Sequence, residues 1–424
     1  MSPVLLRTTL RSSAATYVMP FLLGFVLVAL GDDLSAWVTP HYWPSATGSS
    51  TFALPFVSAA CAATAAWEGA RLHRGAVFDQ APVRSPLAIT VPVLLPVAVM
   101  GTLGMVTALL LSASAADTGW GIPDLGVILI SLTVITANTL AGYLIGRTMS
   151  GVLAAPLALI AGFFLNAHPS SWSIYWLRHL VGGGLDSCCA ADTVLDDRAL
   201  WSAAVFTVAV CLAATLTIQR QGHVPALAAA VVLAASGFGL AAYIARDLGP
   251  EPVQARDTSA LVCEGQQPRI CLWPEVDDQP LVHREAAKSV DRLRKAGVSM
   301  PATLTMAQHP SPGTAKLGIP TNPRLADIPS GVASGLLPEP PTCALNGEPY
   351  PAAEAAGPVA AWLYATAGEP SDVVAGRFGP EEARLATAVM KQPRPAQLDW
   401  YERNRKALQS CSTPPQLAIA GSPR

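Results

Sequence analysis

Residues Val224–Ile244 read VPALAAAVVLAASGFGLAAYI, 21 positions without a charged side chain. Wound into a helix at about 1.5 Å per residue, such a run is roughly 30 Å long, the thickness of a bilayer's hydrocarbon core. Six more apolar runs precede it, near residues 17–31, 51–67, 87–112, 125–145, 151–165 and 199–218, and none of the seven contains Asp, Glu, Lys or Arg. Only 13% of the chain is charged, against about a quarter in soluble proteins. The expected fold class is an α-helical polytopic membrane protein of about seven transmembrane helices. Because Val224–Ile244 is the seventh and last run, it decides which side of the membrane receives the remaining residues, 245–424.

The arginines set the orientation. With the N-terminus inside, the inner segments 1–16, 68–86, 146–150 and 219–223 hold Arg7, Arg11, Arg71, Arg74, Arg84, Arg147 and Arg220. The outer loops hold only Arg178 and Arg198. Seven against two follows the positive-inside rule, and Trp37, Tyr42, Trp43, Trp120, Trp172, Tyr175 and Trp176 supply interfacial aromatics to the outer loops. The expected location is therefore a multi-pass cell-membrane protein with its N-terminus cytoplasmic and its C-terminal domain extracellular. Residues 1–16 place Leu6, Leu10 and Ala14 on one helical face and Arg7 and Arg11 on another. That suits a short amphipathic segment lying in the interface, or a basic leader to the first span.

The tail divides into a polar linker (245–259), an α+β domain (260–411) and a disordered end (412–424). Strands are expected within 261–275 and 302–307, and helices over 279–296, 352–366, 380–392 and 396–410. Residues 309–342, dense in Pro, Gly and Ser, read as a long irregular loop. The tail holds Cys263, Cys271, Cys343 and Cys411. An even number in an outer compartment suggests disulfides, and four cysteines allow three pairings. Cys263–Cys271 with Cys343–Cys411 is favoured, since EGQQPRI between the first two suits a turn between strands; unpaired thiols in a cytoplasmic tail are the alternative. No pairing is assigned to Cys188 and Cys189, in an outer loop.

Several chemistries lack their residues. No P-loop, HExxH or GxSxG is present, so the chain is not expected to be an enzyme, and no metal site or cofactor of its own is expected. The net charge of −2 gives no reason to expect a nucleic-acid partner. Ion-coupled transporters need ionisable groups at membrane depth. Here Asn138 is the only strongly polar side chain well inside a run, which disfavours ion coupling and leaves a conduit for a hydrophobic substrate open. Gly142 and Gly146 form a GxxxG compatible with close helix packing.

Two loops stand out. The inner loop 68–86, EGARLHRGAVFDQAPVRSP, is able to form a helical turn or two from Trp67 to about Phe78, carrying Arg71, Leu72 and Arg74 toward a soluble partner; its arginines also serve simply as an orientation signal. The outer loop 166–198 contains NAHPSSWSIYWLRHLVGGG, with Trp172, Tyr175, Trp176 and Arg178. It is too apolar for a simple exposed loop. One or two short helices dipping into the outer leaflet, with Gly182–Gly184 as the bend around Gly183, are expected.

The layout resembles the permease subunit of ABC-2-type exporters: an amphipathic start, six spans, a basic loop after the second span and a re-entrant outer hairpin between the fifth and sixth. The stretch AAWEGARLHRGAVFDQAPVRSPLAI (65–89) also looks like the corresponding loop of actinobacterial permeases. The resemblance covers about residues 1–220. It implies that loop 68–86 docks on a separate ATPase subunit that binds ATP, with Glu68, Arg71, Leu72, Arg74, Phe78 and Arg84 at the contact. It also implies a dimer, with a second copy or a related permease, in contact with membrane lipids. The seventh run and the large tail depart from this family's pattern. The alternative is a non-transporting membrane sensor or scaffold whose outer domain binds a ligand or partner protein.

Overall fold

The computed structural model describes residues 12–80, 83–220 and 223–419, so most of the expected amphipathic segment 1–16 lies outside the described residues. The chain forms two compact units, which divide after Gln254.

The first unit is helical. Its helices are α1 (Ala14–Ala29), α2 (Gly31–Ala36), α3 (Trp43–Ser50), α4 (Leu54–Arg74), α5 (Pro86–Ala115), α6 (Leu125–Gly146), α7 (Gly151–Ala167), α8 (Tyr175–His179), α9 (Asp197–Gln219) and α10 (Val224–Ala245). Five apolar stretches are long enough to cross a membrane: α3 running into α4, then α5, α6, α9 and α10; α1 and α7 are shorter apolar helices. Caps fix several boundaries: the Asp124 carboxylate accepts the N–H groups of Gly126 and Val127 and starts α6, and Asp196 does the same for α9 through Arg198.

The helix ends gather at two poles. At one, the Phe78 ring after α4 lies 4.5 Å from the Arg147 guanidinium after α6, and Leu87 N–H at the start of α5 donates to Gln219 at the end of α9. At the other, His41 N–H donates to the Ala116 carbonyl after α5, and Tyr42 Oη donates to the Thr193 carbonyl ahead of α9. The seven apolar helices α1, α4, α5, α6, α7, α9 and α10 thus run alternately between two ends. Arg71, Arg74, Arg84, Arg147 and Arg220 sit with the first.

Helix α4 is the most buried of the long apolar helices and α10 the least. Small residues make the central position possible, because without side chains between them two backbones approach closely. A Cβ on Gly142 or Gly146 of α6 would fall on the carbonyl oxygens of Ala62 and Ala66, and one on Gly69 would fall on that of Tyr143. Helix α10 packs on α9, with Gly237 against Ala209, and leaves Leu227, Val231, Val232 and Leu240 exposed.

The second unit contains a four-stranded sheet. Strands β3 (Val262–Glu264) and β4 (Arg269–Leu272) form an antiparallel hairpin, and β5 (Thr303–Thr305) and β6 (Thr314–Lys316) follow in parallel. The earlier strands β1 (Thr193–Leu195) and β2 (Val253–Ala255) form a separate pair. Helix α11 (Gln279–Lys295) connects β4 to β5, as a parallel pair requires. Helices α12 (Asp327–Ser334), α13 (Thr342–Leu345), α14 (Ala356–Ala367), α15 (Ser371–Phe378), α16 (Pro380–Met390) and α17 (Arg394–Leu408) complete it. Trp273, Leu293, Leu304 and Trp362 are fully buried. Arg256 lies over the Trp273 ring at 4.5 Å and holds Glu275 through two bonds of 3.0 and 2.9 Å, a fork geometry suited to guanidinium and carboxylate.

Several expectations are corrected. The segment 309–342 is not one irregular loop: it contains β6 and α12. A short helix with Pro329 in its first turn and Gly331 inside reads as loop, yet Ile328 and Val332 are buried. Gly331 and Gly335 are required because a Cβ on either would strike Ile319 or the Lys316 carbonyl. Four helices, not three, follow residue 350. Residues 412–419 are not loose: Trp400 Nε1 donates to the Leu417 carbonyl, and Asn404 exchanges bonds with Gln416. The linker 245–259 is also partly docked: Arg178 donates to the Pro250 carbonyl at 2.9 Å, His179 Nε2 donates to that of Gly249 at 3.0 Å, and Asp196 N–H donates to that of Pro252.

Candidate functional site

The loop after α4 departs from its expected form. Helix α4 continues from Trp67 to Arg74 without a break, and Gly75–Gln80 is a series of turns. Glu68 is fully buried. One carboxylate oxygen accepts the N–H of Ala14 at 2.7 Å, at the first turn of α1, and the other faces Arg71 Nη2 at 2.7 Å. Arg71 also donates to the Ser12 carbonyl at 2.5 Å. A carboxylate at a helix N-terminus is favourable through the unpaired N–H groups and the helix dipole. Glu68 therefore anchors α1 to α4 and does not present itself to a partner. Leu72 is packed against the core. Phe78 is held under Arg147. Arg74, beside the Trp67 ring, and Arg84 remain exposed.

At the opposite pole the loop 166–198 forms a short 3-10 turn (His168–Ser171) and then α8. Gly182 and Gly184 adopt φ of +74° and +84°, conformations that favour glycine, and they make the bend. The Gly183 N–H closes the turn on the Arg178 carbonyl at 2.9 Å. Arg178 reaches the Trp172 carbonyl at 3.0 Å and lies against the Tyr175 ring. Trp176 packs edge-on against Phe238 of α10. Cys188 and Cys189, left unassigned from the sequence, are joined to each other and buried, and Thr39 Oγ1 donates to the Cys189 carbonyl.

Between these elements lies an apolar cavity of about 340 Å³. Val134 of α6, Leu165 of α7, Trp172, Leu180, Phe206 of α9 and Phe238 of α10 contribute to its wall. Its polar feature is a pair of amides. Asn138 Nδ2 donates to Asn166 Oδ1 at 3.4 Å and Asn166 Nδ2 returns a bond to Asn138 Oδ1 at 3.1 Å. Each also donates to the carbonyl four residues earlier in its own helix, Val134 and Gly162. Asn166 lies one residue past the fifth apolar run, 151–165, so the run itself does not reveal it. The signal was Asn138 itself: an amide at that depth needs a partner on a neighbouring helix. No Asp, Glu, Lys or Arg is among the described residues lining the cavity, and those residues can solvate an apolar group and orient it with an amide.

In the second unit, Cys263 and Cys271 face each other across β3 and β4 and are joined, and Cys343 is joined to Cys411. Cys61 and Cys211 are free thiols within α4 and α9. Among the described residues no cluster of three or more His, Cys, Asp or Glu is arranged to hold a metal ion.

A family model described as a domain of unknown function (DUF7224) matches residues 270–411, a stretch that begins within β4 and ends at Cys411. No curated protein and no solved structure matches the chain.

Proposed function

We propose that the chain is the permease subunit of an ABC-type exporter, with all seven apolar helices spanning the cell membrane, the arginine-bearing pole in the cytoplasm and residues 255–424 outside. The observation that carries this reading is the placement of the loop after α4. That loop ends the central helix, and its Phe78 ring packs under Arg147 at the end of α6. A displacement imposed on the loop would therefore be felt by α4 and α6 together, whose backbones are in contact along Ala62, Ala66, Gly142 and Gly146. Energy from a partner ATPase would enter there, with Arg74 and Arg84 as the available contacts. The apolar cavity with its amide pair suits a hydrophobic or lipid-like cargo and no ion coupling. Helix α10, attached at the periphery of α9, carries the last part of the chain to the outer side.

The test is recovery of the intact protein from native membranes in a mild detergent. A subunit carrying a P-loop should co-purify, and Arg74→Glu combined with Arg84→Glu should release it. Absence of any such ATPase, or its full retention by the charge-reversed variant, would overturn the reading in favour of a sensor or scaffold.

A further inference from the structure

The apolar cavity between α6, α7, α9 and α10 is polar in one sense only. Among the described residues of its wall, hydrogen-bonding side chains belong to Asn138, Asn166, Thr207 and Trp172. Both N–H bonds of the Asn138 amide are spent, on the Val134 carbonyl at 2.9 Å and on Asn166 Oδ1 at 3.4 Å. Both of Asn166 are spent as well, on the Gly162 carbonyl at 2.6 Å and on Asn138 Oδ1 at 3.1 Å. The single hydroxyl hydrogen of Thr207 goes to the Ala203 carbonyl at 2.7 Å. Trp172 is 40% exposed, so its indole is not confined to the cavity. An amide oxygen carries two lone pairs, and each of these two accepts one bond from the other amide. What the amide pair offers an occupant is therefore an acceptor and not a donor.

An occupant must bring the donor itself. An ester, an ether or a ketone brings only acceptors, and its oxygen would lie beside an amide oxygen with neither paired. A carboxylate would be buried with no Lys or Arg among the described lining residues, and an ammonium with no Asp or Glu. A neutral hydroxyl has a hydrogen to give and no charge to compensate. The remaining wall, including Val134, Leu165, Leu180, Phe206 and Phe238, is apolar and suits a hydrocarbon body. The volume of about 340 Å³ lies at the lower end of the roughly 300–1,000 Å³ of small-molecule sites, which favours one chain over a two-chain lipid.

We propose that the cavity binds a single-chain amphiphile bearing a neutral hydroxyl, in its simplest form a fatty alcohol. Its hydroxyl would donate to Oδ1 of Asn138 or Asn166, and its chain would lie against Phe206 and Phe238. The inference rests on the export reading, in which this cavity takes an apolar cargo, and it names the class of that cargo.

The experiment is photolabelling of the full-length protein in nanodiscs, without any ATPase, by a ten-carbon alcohol carrying a mid-chain diazirine. Labelled peptides are located by mass spectrometry. Saturable labelling within 134–141, 165–181 and 206–210 is expected. Decanol should suppress it at a bilayer concentration at least tenfold below that needed of decyl methyl ether or decanoate. Asn138→Leu combined with Asn166→Leu should abolish this preference, and Val210→Phe, which fills the cavity, should abolish the labelling. The proposal is overturned if no saturable labelling falls on the wall, if decanol and the ether compete equally for the wild type, or if the double variant keeps the wild-type preference. The wild-type competition decides the matter even where the double variant does not fold. Failure of the export reading shows separately, as selective labelling by the alcohol in a protein with which no ATPase co-purifies.

Discussion

The Glu68 carboxylate accepts the backbone N–H of Ala14 at 2.7 Å, joining α4 to the first turn of α1 across 54 positions of sequence. Removing it leaves an N-terminal N–H and Arg71 without their acceptor. Loss of a helix-terminal acceptor typically costs about 1 kcal/mol. Glu68→Ala should lower the thermal midpoint of the detergent-solubilised protein and increase protease cleavage near residue 14. Arg84→Ala, which removes an exposed side chain, should do neither.

The α4–α6 contact depends on absent side chains. Gly142→Val places a branched side chain where the Ala62 carbonyl lies, and overpacking of this kind costs on the order of 1–3 kcal/mol. The variant should lose its monodisperse peak in size-exclusion chromatography or melt well below the wild type. Gly239→Val is the control, since a Cβ there meets nothing within 4 Å.

The Asn138–Asn166 pair should be energetically coupled. Interhelical polar contacts in membranes average about 0.6 kcal/mol and reach about 1.7. Asn138→Leu and Asn166→Leu should each destabilise the protein by leaving a widowed amide. The double variant should be less damaged than the sum, giving a coupling of about 1 kcal/mol in a double-mutant cycle. Strict additivity would mean that the two amides do not act as a pair.

Glu369 gives the second unit a pH signature. Its side chain is fully buried, with Arg377 Nη2 at 3.1 Å from one oxygen and no hydrogen-bond partner on the other. Burial raises its pKa above the usual glutamate value, more than Arg377 lowers it. A raised carboxylate favours the folded state when protonated, so its contribution falls as pH rises from the unfolded glutamate value through the higher folded one. Glu369→Gln should therefore gain stability relative to the wild type as pH increases from about 4.5. Calorimetry of the full chain in nanodiscs at pH 4.5, 6 and 7.5 measures the difference; a constant difference would contradict the account.

The helical runs were legible because a stretch such as Val224–Ile244 carries its signal in every residue. The apolar helices observed follow the expected ones within a few positions at most ends. Cys263 and Cys271 were legible as partners because the turn between them fixes the hairpin. What local pattern could not reveal was long-range use. Glu68 read as an exposed contact on a basic loop, yet its partners are Ser13's neighbour Ala14 and Arg71, and burial follows from the fold around α1. Asn166 sat one residue beyond an apolar run, and its role depends on which helix lies opposite. Helix α12 is short and glycine-bearing, so its helical state follows from packing against Ile319 and Lys316 rather than from propensity.

The account stands on the opposed poles of the first unit lying on opposite sides of the membrane. Single cysteines at Ser371, exposed in the second unit, and at Gln80, exposed after α4, placed in a background lacking Cys61 and Cys211, test this directly. Whole cells are treated with a membrane-impermeant maleimide before and after permeabilisation. The account predicts labelling at Ser371→Cys in intact cells and at Gln80→Cys only after permeabilisation. Protection of Ser371→Cys until permeabilisation, or labelling of Gln80→Cys in intact cells, would contradict it.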